Sequence, residues 1–279
     1  MPNSEAIRWF KSEFAEDIEG AVTGTPFDLD MITAIACQET GHIWSTLHKK
    51  PGLSTQKIVA LCVGDTLDAD KGRKAFPKTK ADLIAKPKGQ QMFDIARKAL
   101  EEMAAQVPGF TGAVRKPDKF CHGYGVFQRD LQFFLDDPDY FLERRYEQFG
   151  ESLEQCLGEL KKGLRKLGFQ GRTSLTDFEF ACVAIAYNTG GFKPSKGLKQ
   201  GHFNGQRFYG EEVFDFVRLS RTVAKPGTTA TISPVSPGSA IIPPPTPITA
   251  SGPAFLVDTR EAPLRLRSEP KISEPTTKN

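Results

Sequence analysis

Wound as a helix at about 100° per residue, the stretch 28–43 places Ile32, Ile35, Ala36, Glu39 and Ile43 on one narrow stripe. A carboxyl therefore stands in the middle of an apolar, core-facing side. Burying an ionised carboxylate without a partner is costly, so such a Glu is either paired or holds a proton near neutral pH. A proton-holding Glu is the general acid that cleavage of a glycosidic bond needs, because the leaving oxygen is protonated as the bond breaks. Taken alone, Glu39 is better explained by structural pairing with an Arg, a Lys or a backbone amide. His42 lies close enough on the same helix to tune it, although His42 and His122 each read first as structural or surface residues.

Two further stretches bear on that choice. In His122-Gly123-Tyr124-Gly125-Val126-Phe127-Gln128 two glycines allow a tight turn, and the apolar pattern after them predicts a helix over 126–135 that carries Phe127 and Gln128. Backbone amides and the Gln128 side chain would then face one place, though loop-to-helix junctions of this kind are common. The stretch from Phe178 to Ile185 is apolar nearly all round and predicts the central buried helix. It ends at Gly190-Gly191, which suits a C-terminal cap and leaves Tyr187 and Asn188 at the helix mouth, where a phenol and an amide can meet a carboxyl and sugar groups. Alone, Asn188 and the glycines need do no more than end the helix.

Taken in order, Glu39-Thr40, Gly125-Val126-Phe127-Gln128 and Ala186-Tyr187-Asn188 resemble the motifs of the lytic transglycosylase and goose-type lysozyme superfamily, within a loose likeness over residues 1–223. That family shows Glu-Ser, then Gly-Leu-Met-Gln, then Ala-Tyr-Asn. The resemblance implies Glu39 as the single acid/base and Thr40 as a small hydroxyl near the sugar. It further implies Gln128 as a substrate-binding amide, with Tyr187 and Asn188 positioning Glu39 and the substrate. Tyr124 and Phe127, with Trp44 and Phe192, are aromatic candidates for stacking on sugar faces, core packing being the default for each Phe. This sequence departs from the pattern at Thr40, at Phe127 in place of Met, at Arg129 where an aliphatic residue is usual, and in the long interval between the first two motifs.

The chemistry implied is cleavage between N-acetylmuramic acid and N-acetylglucosamine in peptidoglycan, the sugar's own 6-hydroxyl closing a 1,6-anhydro ring. One carboxyl suffices for that route. A hydrolytic muramidase, or a chitinase-like or chitosanase-like hydrolase, needs a second carboxylate to orient water, about 6.5–9.5 Å away in an inverting enzyme. Asp130, Asp68 and Asp70 are the candidates, with Asp130 read first as an exposed acid in a helix's first turn. Asp65, Asp68 and Asp70 miss the glycine offset and the closing Glu of a calcium loop, so neither a metal nor another cofactor is expected. No Ser-His-Asp or Cys-His order supports a peptidase. The rival from another class is a non-catalytic glycan-binding protein on a lysozyme-like fold.

The elements that must position these residues are helical, and the expected class is mainly α: a lysozyme-like helical domain with a polar insertion. Periodicity and caps predict helices over 4–18, 28–43, 55–62, 89–105, 126–135, 138–149, 153–167, 175–188 and 210–221. The polar, turn-rich interval 64–88 reads as a surface insertion at the edge of a groove. From 224 to 253 the chain is rich in Pro, Thr, Ser and Gly around Pro243-Pro244-Pro245, the composition of a disordered linker. Residues 254–279 resemble the opening of a truncated bacterial Src-homology-3-like wall-binding domain, through Leu264-Arg265-Leu266-Arg267-Ser268. Joined by the linker, such an anchor would raise the cutter's effective concentration at the polymer.

The net charge of +3, from 37 basic and 34 acidic side chains, gives no field that argues for nucleic acid. Five widely spaced cysteines, Cys37, Cys62, Cys121, Cys156 and Cys182, suggest buried thiols rather than a disulfide framework. The acidic start lacks a signal peptide's pattern and no stretch is long enough to span a membrane, so the expectation is synthesis in the cytoplasm and action on the wall, periplasmic or extracellular, after export or lysis. The expected partner is the peptidoglycan glycan strand, and the expected state a monomer.

Overall fold

A computed structural model describes residues 2–225 of the chain. All of the wall-binding-like piece, and the linker beyond Lys225, lie outside the described residues. The described part is mainly helical. Its α-helices are α1 (Ser4–Val22), α2 (Leu29–Leu47), α3 (Thr55–Ala60), α4 (Lys80–Ile84), α5 (Gly89–Ala104), α6 (Thr111–Val114), α7 (Pro138–Leu142), α8 (Phe149–Lys166), α9 (Asp177–Thr189) and α10 (Tyr209–Arg221). Three two-residue strands, β1 (Val63–Gly64), β2 (Gly123–Tyr124) and β3 (Arg129–Asp130), form a small antiparallel sheet in that order. Among the described residues no helix is long and apolar enough to cross a membrane.

Local chemistry explains where the long helices begin and end. Asp28 accepts a hydrogen bond from the Met31 amide at 2.9 Å and so caps α2, and Asn3 does the same for α1 through Ala6. Thr176 and Glu179 form a reciprocal capping box at the start of α9, which ends at Gly190 in the left-handed conformation (φ +78°). α2 is buried without interruption from Met31 to Cys37, and α10, α1, α3 and α9 pack on it. α9 is buried from Phe180 to Ala186, but Phe178 is exposed, so its apolar surface is less complete than the sequence suggests. An aromatic seam joins distant elements: Phe14 of α1 stacks on Phe149 of α8 at 4.0 Å, Phe10 meets Trp44 at 4.9 Å, and Phe149 reaches Phe127 at 5.8 Å.

The expected helix over 126–135 is not formed. After β2 the chain turns through Gly125 (φ +76°) and Gln128 (φ +52°), runs along β3, and closes a 3₁₀ turn over Leu131–Leu135. Two left-handed residues so close together forbid a continuous right-handed helix. Val126, Phe127, Leu131 and Phe134 have helix-like spacing, yet it is the hairpin and the 3₁₀ turn after it that bury all four. The span 138–149 is likewise broken, because Arg144 is left-handed (φ +56°) between α7 and a 3₁₀ turn at Arg145–Glu147.

The polar insertion is pinned to this hairpin. Arg73, buried within it, donates to the carbonyls of Pro77 and Phe76 and sends both terminal nitrogens to Asp130, at 2.7 and 3.0 Å. Elsewhere, Lys11 of α1 is almost fully buried and donates to Asp30 of α2 at 2.6 Å and to the carbonyls of Ser220 and Val223 at the end of α10. Substituting Lys11→Met leaves Asp30 and two carbonyls without their shared donor and is expected to cost about 3 kcal/mol, read as a lower urea midpoint at unchanged slope.

Candidate active site

Glu39 lies on the wall of a cavity of about 540 Å³ that is lined also by His42, Gly64, Asp65, Thr66 and Phe110, by residues 127–130, and by Tyr187 and Asn188. The resemblance's three stretches, far apart in sequence, therefore meet around one cavity. The fourth contributor is α8, whose Ser152, Gln155, Cys156 and Glu159 recur at helical spacing and line the cavity together.

The side chain of Glu39 accepts a hydrogen bond from the Tyr209 hydroxyl at 2.7 Å. Desolvation pushes its carboxyl up to about 7, and the Tyr209 bond, which favours the ionised form, opposes that rise only in part. Tyr209 is buried at the first position of α10. Gly201 makes room for it, since a Cβ there would stand 2.5 Å from the Tyr209 Cβ and 3.0 Å from Asn188 Oδ1. Nothing in the sequence motifs points to Tyr209, which acts on a residue 170 positions away. No motif marks the α8 wall either, although its small and polar residues at positions 152, 155, 156 and 159 form a stripe at helical periodicity.

Thr40 has a different place from the one expected of it. It is fully buried, and its hydroxyl donates to the Val126 carbonyl at 2.7 Å, so it holds the turn rather than reaching a sugar. Tyr187 holds the next link, donating to the Phe127 carbonyl at 2.5 Å while its ring lines the cavity. Tyr124, expected as a stacking surface, does not provide one: its ring is fully buried against Tyr146 and Phe141, and its hydroxyl donates to the Cys121 carbonyl. Trp44 is in the core as well, whereas Phe127 packs into the core and borders the cavity. Asn188 is exposed at the mouth, its Oδ1 accepting from the His202 amide at 3.4 Å.

Gln128 folds back over the sheet. Its amide nitrogen donates to the carbonyls of Gly125 at 2.9 Å and Cys62 at 3.3 Å. Gly123 has to lack a side chain here, because a Cβ on it would come within 2.3 Å of Gln128 Oε1. With its donors spent, Gln128 has an acceptor left to offer a ligand.

The remaining carboxylates differ from Glu39. Asp130 sits on β3, not in a helix's first turn, and its oxygens accept from Arg73 and from the Gln132 amide. Asp65 accepts from the Leu67 amide and lies 3.4 Å from Arg73, while Asp68 pairs with Lys119 at 2.6 Å and Asp70 lies 3.7 Å from it. His42 is exposed and lies near the Phe110 ring, whereas His122 is buried with Nδ1 3.0 Å from the Asp65 carbonyl, its pKa lowered chiefly by burial. Among the described residues no three His, Cys, Asp or Glu side chains are grouped to share a metal ion, and all five cysteines are free and buried.

Comparison with known protein families, with curated proteins and with solved structures finds no match for this chain.

Because the folded chain keeps a proton on Glu39 that the unfolded chain releases near pH 4.5, the stability this proton carries is full below that pH. It is lost as pH rises through about 7. Glu39→Gln, which still accepts from Tyr209, is therefore expected to melt increasingly above wild type between those two pH values and by a constant margin beyond them. Melting curves across that range test this, and a difference independent of pH would refute it.

Proposed function

We propose that this chain is a peptidoglycan-cleaving enzyme on a lysozyme-like helical fold, cutting between N-acetylmuramic acid and N-acetylglucosamine as a lytic transglycosylase. The observation that carries the reading is a desolvated Glu39, held by Tyr209 on the wall of a cavity, with its pKa raised to about 7. In that state Glu39 gives its proton to the leaving glycosidic oxygen. As a carboxylate it then takes the proton of the muramic acid 6-hydroxyl, whose oxygen attacks C1 and closes the 1,6-anhydro ring. Gln128 Oε1 and Asn188 supply polar contacts to the sugar, and Phe127 and Tyr187 an apolar wall.

The engagement of Asp130 with Arg73 favours this route over hydrolysis. Its lone pairs are taken by a guanidinium and an amide, which makes it a poor base for water. Loss of Glu39 would also separate an enzyme from a glycan binder.

Purified peptidoglycan is expected to clear with wild type, and Glu39→Gln should lower the rate by at least about 10²-fold. Mass spectrometry of the released fragments should show anhydro ends; reducing ends would replace the transglycosylase reading by a muramidase. The rate is expected to fall as pH rises through about 7, where Glu39 loses its proton, and Tyr209→Phe should move that limb to higher pH. A limb that does not move would remove Tyr209 from its positioning role.

A further inference from the structure

Arg129 departs from the motif pattern, and the proposed reaction leaves it unused. It is the one lysine or arginine among the described residues that line the cavity. Its guanidinium lies over the Phe133 ring at 4.5 Å and 5.6 Å from the Tyr140 ring, so it is held in place by aromatic faces that take none of its hydrogen bonds. The Nε–H is buried and has no hydrogen-bond partner. The nearest carboxylate, Glu159, stands 3.9 Å from Nη1 and is engaged more closely by Lys162 at 2.6 Å. The other acids nearby are matched elsewhere, Asp130 and Asp65 by Arg73. A fixed cation with unspent donors thus faces the cavity that holds Glu39.

We propose that Arg129 makes the cavity selective for glycans that carry a carboxylate, which accepts hydrogen bonds from the guanidinium, over neutral strands of N-acetylglucosamine. The proposal rests on the glycan-cleaving reading of the same site. Planar guanidinium donors fit a carboxylate in two-point geometry, and a desolvated wall strengthens the contact. The carboxylate has two possible sources on this polymer, the lactyl group of a peptide-free muramic acid and the stem peptide.

Calorimetric titration in a Glu39→Gln background, where the probes are not consumed, separates these cases. The probes are peptide-free N-acetylglucosamine–N-acetylmuramic acid oligomers, the same oligomers bearing stem peptides, and N-acetylglucosamine oligomers of equal length. Arg129→Gln is expected to weaken the carboxylate-bearing ligands by about 10-fold or more while changing the neutral oligomer by less than about 2-fold. Arg129→Lys, which keeps the cation but loses the two-point geometry, should show the same selectivity at smaller amplitude, and serves if Arg129→Gln does not fold. A loss greatest on peptide-free strands assigns the lactyl carboxylate, and a loss confined to stem-bearing strands assigns the peptide. Equal weakening of all three probes, or no weakening, overturns the proposal while leaving the function intact. Binding of none of them by the Glu39→Gln protein overturns both.

Discussion

A half-buried carboxyl, partly desolvated on a helix that is otherwise largely in the core, needs compensation, and the contact between Glu39 and the Tyr209 hydroxyl supplies part of it. The rest comes from keeping the proton: desolvation outweighs the single hydrogen bond and leaves the carboxyl near neutrality. The arrangement depends on α10 lying against α2, with Tyr209 at its first position, and on Gly201 leaving room for the ring. Lys11 secures that packing at the far end, where it ties α1 and α2 to the last turn of α10. The proton on Glu39 is thus a property of how three helices meet.

The residues nearest the motifs divide into those that face the cavity and those that hold the backbone facing it. Thr40 and Tyr187, from two different helices, grip consecutive carbonyls of the turn between β2 and β3. Gln128 locks the same turn from its own side chain. A hydroxyl beside the acid and a tyrosine at a helix mouth can thus act as scaffold for a loop, a role that motif order does not distinguish from sugar contact. Arg73 completes the support from the insertion, which is a brace for β3 as well as an edge of the cavity.

Helices with an apolar stripe and a cap were legible because both signals are local: Asp28 before α2 and Gly190 after α9 stand where the pattern changes. The buried position of Ile32, Ile35, Ala36 and Ile43 followed from the same periodicity. The glycines marked a turn, but its continuation through Gln128 into a hairpin was not legible, since the apolar residues after Gly125 mimic helical spacing and only backbone dihedrals reveal the break. Tyr209 could not be read at all, because its partner is set by packing between α2 and α10 rather than by neighbours in sequence. Tyr124, beside the motif, faces inward because β2 is the central strand and its side chain packs on Tyr146.

The protonation of Glu39 is the point on which the physical account turns, and an NMR titration of side-chain carboxyl carbons, assigned by the signal missing from Glu39→Gln, reads it directly. Glu39 is expected to titrate with a midpoint at about 7, and a midpoint near the ordinary value of 4.5 would show that its carboxyl is not held protonated at neutral pH.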